Sequence, residues 1–555
     1  MKSFIKTAFV LIFLLTLLHS CGVRKSLNSF PKLDQFVVEI PQVIEINDST
    51  RQVENAYLLK NKHQMWELYA QGNPYQLGLN MGALTQDLYQ YQESVFFSKV
   101  NEIVPPGFRQ NLLIKLLKYY NRHLYQYIST EYQSEIYGIS EYATTDFDYL
   151  GHAYHRNLYL HGAHDIGHAF QDLALVGCSS IAVWGENSTD GKLLIGRNFD
   201  FYAGDDFAEN KIIYFIQPDE GHAFMSISWA GMSGVVSGMN EQGLTVTLNA
   251  GKSSIPLKAK TPISMVAREI LQYAKNIEEA IAIAKNKEVF VSESILVGSA
   301  LDQKAAIIEI SPKNFGVYAA PNQPALVCSN HFQSEAFQQD KRNQQHIEES
   351  HSLYRWNKMN EILTEEKSLD PTKMAALLRN TEGLEGRLIG YGNEKSLNQL
   401  LGHHAVIFQP EKRLVWVSSP PYQLGEFVAY DLNDIFNRPF DQTTSLAVDS
   451  LQISQDPWIH SQEFSDYEAY RKIDRTIDHR LKNKETISTK EFEDYQSLNP
   501  AHWIVYYKKG VYHFERKEWA AAKVQFEKAL TQEITTQNDE EKINQYLRKI
   551  NRKWK

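Results

Sequence analysis

The sequence predicts an α+β fold, two antiparallel sheets packed together with helices outside, and three observations predict it. Short apolar runs of strand length follow one another from Ile181 to Leu248. Helical periodicity then takes over, and strands and helices alternate in blocks as far as Val417. On either side of this stretch the chain is helical in pattern. At 555 residues, 43% hydrophobic and 22% charged, it can bury a sizeable core and is too long for one ordinary domain.

Residues 1–20 read as a targeting segment: Lys2 and Lys6 give a positive start, and Ala8 to Leu18 is almost wholly apolar but too short to span a bilayer. Leu18-His19-Ser20-Cys21 resembles a bacterial lipobox, which implies a lipidated Cys21 and a lipid-anchored protein of the cell envelope, on the periplasmic or outer-membrane side. Residues 21–177 are expected to be a helical pro-segment. In it, Gly72-Asn73-Pro74 with Gly78 and Gly82 marks a turn into a tightly packed helix, and Leu113, Leu116, Leu117, Tyr120, Leu124, Tyr127 and Ile128 form a core stripe.

Residues 178–449 hold the sandwich. Strands are expected at Ile181–Trp184, Leu193–Ile195, Ile212–Ile216, Ala223–Ile227, Val235–Met239 and Leu244–Leu248, punctuated by Gly, Asp and Asn. Helices follow from Ile263 to about Ala274 and from Ile277 to about Lys287. Strands resume at Ser294–Val297, Ala305–Ile310, Gly316–Tyr318 and Ala325–Cys328; helices run through Gln344–Leu363 and Pro371–Leu378; Ala405–Phe408 and Leu414–Val417 close the sheet. Residues 450–555 are polar and helical, and Gly510, Phe514, Trp519, Ala522, Phe526 and Ala529 resemble one tetratricopeptide-type helix pair. One such unit cannot bury its own apolar face, so it is expected to pack on the rest of the chain or on a neighbouring subunit rather than form a peptide-binding groove.

The formal charge of -9 and the lack of a basic block beyond short C-terminal patches exclude the footprint of a nucleic-acid binder. Three cysteines are too few for a disulfide framework. With Cys21 lipidated, Cys178 and Cys328 remain, either bridged to each other or free, and a free thiol in an exported protein points to chemistry.

The chemistry centres on Gly177-Cys178-Ser-Ser-Ile-Ala-Val-Trp-Gly, a polar turn, and Leu-Leu-Ile-Gly-Arg197-Asn-Phe-Asp200, where a cysteine opening a strand is answered across a hairpin by Arg and Asp. With Asn240-Glu241-Gln242-Gly243-Leu244 and Asn249, this resembles the N-terminal-nucleophile (Ntn) amidohydrolases of the choloylglycine hydrolase and acyl-CoA:6-aminopenicillanate acyltransferase superfamily. The Gly72, Pro74, Gly78, Gly82 spacing resembles the pro-segment of its penicillin acyltransferase branch. The resemblance implies a four-layer αββα sandwich and self-cleavage between Gly177 and Cys178. It also implies that Arg197 lies beside the thiol, that Asp200 holds the new α-amine, and that Asn249 and Asn330 stabilise an oxyanion. Arg387 and Arg379 compete for a further arginine position.

A thiol near pKa 8.5 is mostly protonated at neutral pH, and a new α-amine near 7.7–8.0 can take its proton, so cleavage would make Cys178 nucleophile and base together. Gly177 would let the backbone adopt strained geometry during attack. Arg197 and Asp200 are an odd number of residues apart, which predicts Asp200 on a bend. His161, His164 and His168 with Asp165 have metal-ligand spacing, but no catalytic Glu lies between them and capping or packing roles are expected; His403-His404 reads as structural. The expected function is a self-processing cysteine amidohydrolase or acyltransferase without cofactor or metal, acting on a small linear amide with an apolar acyl group. The rival is an inert membrane-tethered assembly factor that contacts a protein through its C-terminal helices.

Overall fold

The computed structural model describes residues 21–169, 176–202, 204–252, 258–320, 323–438 and 444–553. The expected signal segment, 1–20, lies outside them, as do the side chains of Cys21, His164 and His168. No helix among the described residues is long and apolar enough to cross a membrane.

The apolar runs form two sheets. The smaller has six strands in the order Ala325–Cys328, Val176–Val183, Leu194–Phe201, His404–Gln409, Leu414–Ser418 and Phe427–Asp431. The larger has eleven, running from Ile44–Asn47, Thr50–Val53, Ala56–Lys60 and Trp66–Gly72 through Ile212–Pro218, Phe224–Ser228, Ser237–Asn240 and Leu244–Ala250 to Glu293–Ser299, Lys304–Ile310 and Phe315–Tyr318. All pairs are antiparallel except Trp66–Gly72 with Ile212–Pro218, which is parallel with Trp66 opposite Ile212.

Alternation along each strand sends side chains to two cores. Phe215, Ile227, Leu296 and Ile307 of the larger sheet meet Ile195, Val406 and Val417 of the smaller between the sheets. On the larger sheet's outer face, Val246 and Ile295 pack against Ile263, Val266 and Ile270 of the helix Ile263–Tyr273. On the smaller sheet's outer face, Ile181 and Ile407 pack against Met359 of Ser352–Glu365 and Met374 and Leu378 of Pro371–Leu378. The architecture is the expected αββα, and each such side chain contributes about 1.5–3 kcal/mol by burial.

Three expectations change. Residues 21–177 are not helical throughout, because four strands between Ile44 and Gly72 extend the larger sheet. They are short, the first is exposed throughout, and the fourth joins the sheet through a partner far along the chain, so local periodicity does not reveal them. The Leu113 stripe is not core: Phe108–Tyr120 buries only Gln110, and Leu116 is 40% exposed, whereas Leu124 and Ile128 beyond the helix end are buried. The helix expected over Gln344–Leu363 breaks into Lys341–Glu349 and Ser352–Glu365.

The Gly72-Asn73-Pro74 turn caps the helix Pro74–Leu84 through the Asn73 side chain, with Pro at the first turn. Gly78 is required by contact, since a Cβ there would stand 2.1 Å from the Glu135 carbonyl oxygen of Thr130–Ser140. At the C-terminus, Trp503–Glu515, Trp519–Ala529 and Gln537–Lys553 share a core of Trp503, Phe526, Ile543 and Ile550. Gln462–Lys482 seats this unit on the sandwich: Tyr467 packs with Leu400 and Leu424 and its hydroxyl donates to the Leu400 carbonyl at 3.1 Å.

Candidate active site

Val176–Val183 and Leu194–Phe201 pair with Gly177 opposite Asp200, Cys178 opposite Phe199 and Ser180 opposite Arg197. Because Ala182 and Ile195 belong to the inter-sheet core, strand alternation puts Cys178, Ser180, Arg197 and Phe199 on that inner face. Gly177, Ser179, Asn198 and Asp200 fall on the outer face. The hairpin thus separates thiol and carboxylate onto opposite sides of one sheet.

On the inner face, Arg197 Nη2 approaches Cys178 Sγ at 3.8 Å. The guanidinium is wholly buried; it donates to the Val236 carbonyl at 3.0 Å and to the Leu248 carbonyl and Ser237 Oγ, which fixes its position. Cys178 is 1% exposed, and burial outweighs Arg197 and pushes its thiol up to about 11. The uncut chain therefore holds a protonated thiol in a closed site. Cys178 and Cys328 are both buried and free, so the bridge left open by the sequence does not form.

Along the strand edge, the Cys178 N–H donates to Asn330 Oδ1 at 2.9 Å. Asn249 reaches the hairpin through Ser180, whose Oγ donates to Asn249 Oδ1 at 2.8 Å. Each amide gives one hydrogen to a neighbouring carbonyl: Asn249 Nδ2 donates to the Cys328 carbonyl at 3.2 Å and Asn330 Nδ2 to the Ala250 carbonyl at 2.9 Å.

Arg387 is not at the site; it is exposed and pairs with Glu385 at 2.9 Å. Arg379 binds the Gly425 and Ser454 carbonyls instead. The arginine present is Arg355, wholly buried, donating to the Cys178 carbonyl at 2.5 Å, Ser179 Oγ at 2.9 Å and Asn330 Oδ1 at 2.6 Å. Burial holds it down to about 10, against the pull of Asp200 and the thiols. The signal was available: on the helix Ser352–Glu365, Ser352, Arg355 and Met359 share one buried face, so a charge sits at a core-facing position.

Asp200 is not on a bend. Its strand stays regular because it is paired on both sides, Gly177 facing Asp200 and His404 facing Phe199. Its Oδ1 accepts from Gln423 Nε2 at 3.2 Å, and burial raises the carboxyl to about 7, offset in part by Arg355. Gly177 is likewise within a regular strand with no positive φ. The glycine leaves room for Gln399: a Cβ would stand 2.2 Å from Gln399 Nε2, and that same nitrogen donates to the Gly177 carbonyl at 3.4 Å.

His161 accepts the Ser233 N–H at 3.0 Å, and Asp165 accepts the Ile263 N–H at 2.8 Å at the start of Ile263–Tyr273, the capping and packing roles expected of them. Among the described residues no group of His, Cys, Asp and Glu has metal-binding geometry.

The model of the acyl-coenzyme A:6-aminopenicillanic acid acyl-transferase family matches residues 186–421, a stretch that contains Arg197, Asp200, Asn249, Asn330 and Arg355. An uncharacterized protein of Archaeoglobus fulgidus is 26% identical over 271 residues, 45% of this chain and 44% of that one. Protein dcd1B of Dictyostelium discoideum is 26% identical over 147 residues, 26% of this chain and 29% of that one. The chain thus spans less than half the length of the curated relatives it matches. A Caenorhabditis elegans N-acylethanolamine-hydrolyzing acid amidase ortholog aligns at TM-score 0.31 and 18% identity, covering 42% of this chain and 93% of that one. A conjugated bile acid hydrolase from Clostridium perfringens aligns at TM-score 0.31 and 13% identity, covering 49% and 96%. The family match, falling on the observed αββα sandwich, supports the N-terminal-nucleophile hydrolase superfamily for the central region.

Proposed function

We propose that the protein is a self-processing cysteine amidohydrolase or acyltransferase that acts on a linear non-peptide amide through a Cys178 thioester. The observation that carries this reading is the placement of a buried thiol 3.8 Å from a fixed guanidinium, on a residue whose own N–H is held by Asn330. In processing, Cys178 Sγ attacks the Gly177 carbonyl carbon and the Gly177–Cys178 C–N bond breaks. Water then resolves the thioester, leaving a Gly177 carboxylate, a free thiol and a new α-amine on Cys178.

That amine takes the thiol proton in the substrate reaction, a task it can perform near neutral pH. Arg197 favours the thiolate once water reaches it. The thiolate attacks the substrate carbonyl, the amine leaves with a proton, and water or a second amine resolves the acyl-enzyme. Asn249 and Asn330 each give one Nδ2 hydrogen to a carbonyl, of Cys328 and Ala250, and the second hydrogen of each amide is the one that would serve an oxyanion. Cutting would not free the N-terminal piece, because Trp66–Gly72 pairs with Ile212–Pro218 inside one sheet.

The lipobox-like ending at Cys21 supports a lipid anchor in the bacterial envelope. His155 Nε2 lies 3.0 Å from the Ser26 carbonyl, so a lipid on Cys21 would hold the enzyme body close to the membrane. Intact mass and N-terminal sequencing of the parent and Cys178→Ala test the proposal. A fragment beginning at Cys178 in the parent, absent from the variant, with N-acyl amide cleavage falling to background, is expected. Undiminished amide cleavage by Cys178→Ala would falsify it.

A further inference from the structure

Arg197 begins a line of hydrogen bonds that leads away from the thiol. Its Nη1 donates to Ser237 Oγ, which lies 2.9 Å from His404 Nε2, and His404 Nδ1 lies 2.8 Å from His403 Nδ1. Burial holds both imidazoles well below their ordinary pKa, so both are neutral and each carries one N–H. Donor bookkeeping then fixes the tautomers. Ser237 Oγ accepts from Arg197, and His404 Nε2 is the one acceptor its hydroxyl reaches among the described residues, so its proton goes there. His404 must therefore carry its proton on Nδ1 and donate it to His403 Nδ1. His403 is left with N–H on Nε2, which is wholly buried and has no acceptor.

A second donor without an acceptor stands on the neighbouring strand pair: Ile212 faces Ser228, which puts Lys211 beside Trp229, one of the rings against His403. Lys211 immediately precedes the strand Ile212–Pro218, and alternation with Ile213 and Phe215 of the inter-sheet core turns it to the inner face. It is 6% exposed, and among the described residues its ammonium has neither an ion pair nor a hydrogen bond. Its charge is the one His403 feels most. Burying an ammonium and an N–H without acceptors is costly, and a carboxylate would satisfy both. Trp229 and Phe207 wall His403, with ring centroids at 5.6 and 6.4 Å, and also line a cavity of about 70 Å³. Phe199 joins this cluster to the thiol's strand pair: it faces Cys178 across the hairpin, and its ring centroid lies 6.1 Å from that of His403.

We propose that Lys211 and His403 Nε2 form a subsite for a carboxylate carried by the amide substrate. Its part in substrate choice rests on Cys178 being the nucleophile of an amide-cleaving enzyme.

Two measurements on the full processed chain separate the two readings. The first uses unreactive probes. The carboxylate 4-phenylbutyrate is expected to raise the melting temperature of the parent where 4-phenylbutanol does not, and the difference should vanish in Lys211→Met. That variant should itself melt no lower than the parent, since a buried unpaired charge is removed. The second compares kcat/KM for N-phenylacetylglycine, its neutral counterpart N-phenylacetylethanolamine, and glutaric acid monoanilide. Lys211→Met and, independently, His403→Phe should lower the value at least tenfold for a carboxylate substrate and leave the neutral one within twofold. Selective loss with N-phenylacetylglycine places the carboxylate on the amine side, and with the monoanilide on the acyl side. Equal losses on charged and neutral substrates, or none, overturn the subsite while leaving the enzyme intact. A Lys211-dependent melting difference without turnover of any amide leaves the subsite standing and removes the enzyme reading.

Discussion

The two faces of the Cys178 hairpin differ in what they can do. The inner face carries Cys178 and Arg197, with the thiol held protonated by burial despite its guanidinium neighbour. The outer face carries Gly177 and Asp200, with the Gly177 carbonyl under Gln399 and the Asp200 carboxylate against Gln423. Nucleophile and scissile carbonyl belong to adjacent residues yet are served by different layers, the first from the gap between sheets and the second from the 399–423 region beneath the C-terminal helices. Chemistry on substrate and chemistry on the chain itself therefore depend on separable residues.

Arg355 joins the two faces, so its loss should be the most severe. Arg355→Met removes the donor from the buried Cys178 carbonyl and from Ser179 Oγ, an expected destabilisation of about 2–6 kcal/mol at roughly 1–3 per orphaned group. Denaturant unfolding should show this loss, and mass spectrometry should find the chain uncut. A cut chain of parental stability would mean the hairpin does not need this bridge.

The outer face alone is probed at Gln399. As the Gly177 carbonyl becomes an oxyanion, the Gln399 amide is its nearest side-chain donor, and losing one such donor costs on the order of 10²–10³ in rate. Gln399→Ala should slow appearance of the Cys178 fragment by that order. Gly177→Ala should do the same, because its Cβ displaces the flexible end of Gln399 while the fold persists. The double variant should be no slower than either single one; additive losses would show that glycine and glutamine act separately. Once cut, the Gln399 variant should turn over substrate as the parent does.

Asp200 gives a pH signature. Its folded pKa of about 7 is raised above the unfolded 3.8, so the folded state keeps a proton that the unfolded state releases between those values. Its contribution is fully present below about 3.8 and is lost as pH rises through about 7, a change on the order of a few kcal/mol. Asp200→Asn should flatten this part of the melting-temperature profile and match or exceed the parent's stability above pH 7. An unchanged slope would place the titration elsewhere.

Legibility in the sequence followed the range of the forces involved. The strands from Ile181 to Leu248 and the helix at Ile263 were visible because alternation and helical spacing are local consequences of burying one face or stripe. Ile44–Asn47 is exposed throughout, and Trp66–Gly72, a hairpin partner of Ala56–Lys60, joins the large sheet only through its parallel pairing with Ile212–Pro218, which no local window contains. The bend expected at Asp200 was a local inference overruled by pairing on both sides. Arg355 was legible only in part: helical spacing puts it on one face with Ser352 and Met359, but only the tertiary approach of that helix to Cys178 makes it part of the site.

The smallest effect is the sharpest check on that last point. Arg387 and Arg355 both lie downstream of Asn330, and spacing alone does not rank them. Their surroundings do. Arg387 is 61% exposed at its side chain and pairs with the exposed Glu385, an interaction worth less than about 1 kcal/mol that salt screens further. Arg387→Ala should therefore leave melting temperature, extent of processing and kcat/KM at parental values, while Arg355→Met disrupts all three. A defect in Arg387→Ala comparable to that of Arg355→Met would mean that the 384–387 turn closes over the hairpin in the working enzyme, and the site would have to be redrawn around it.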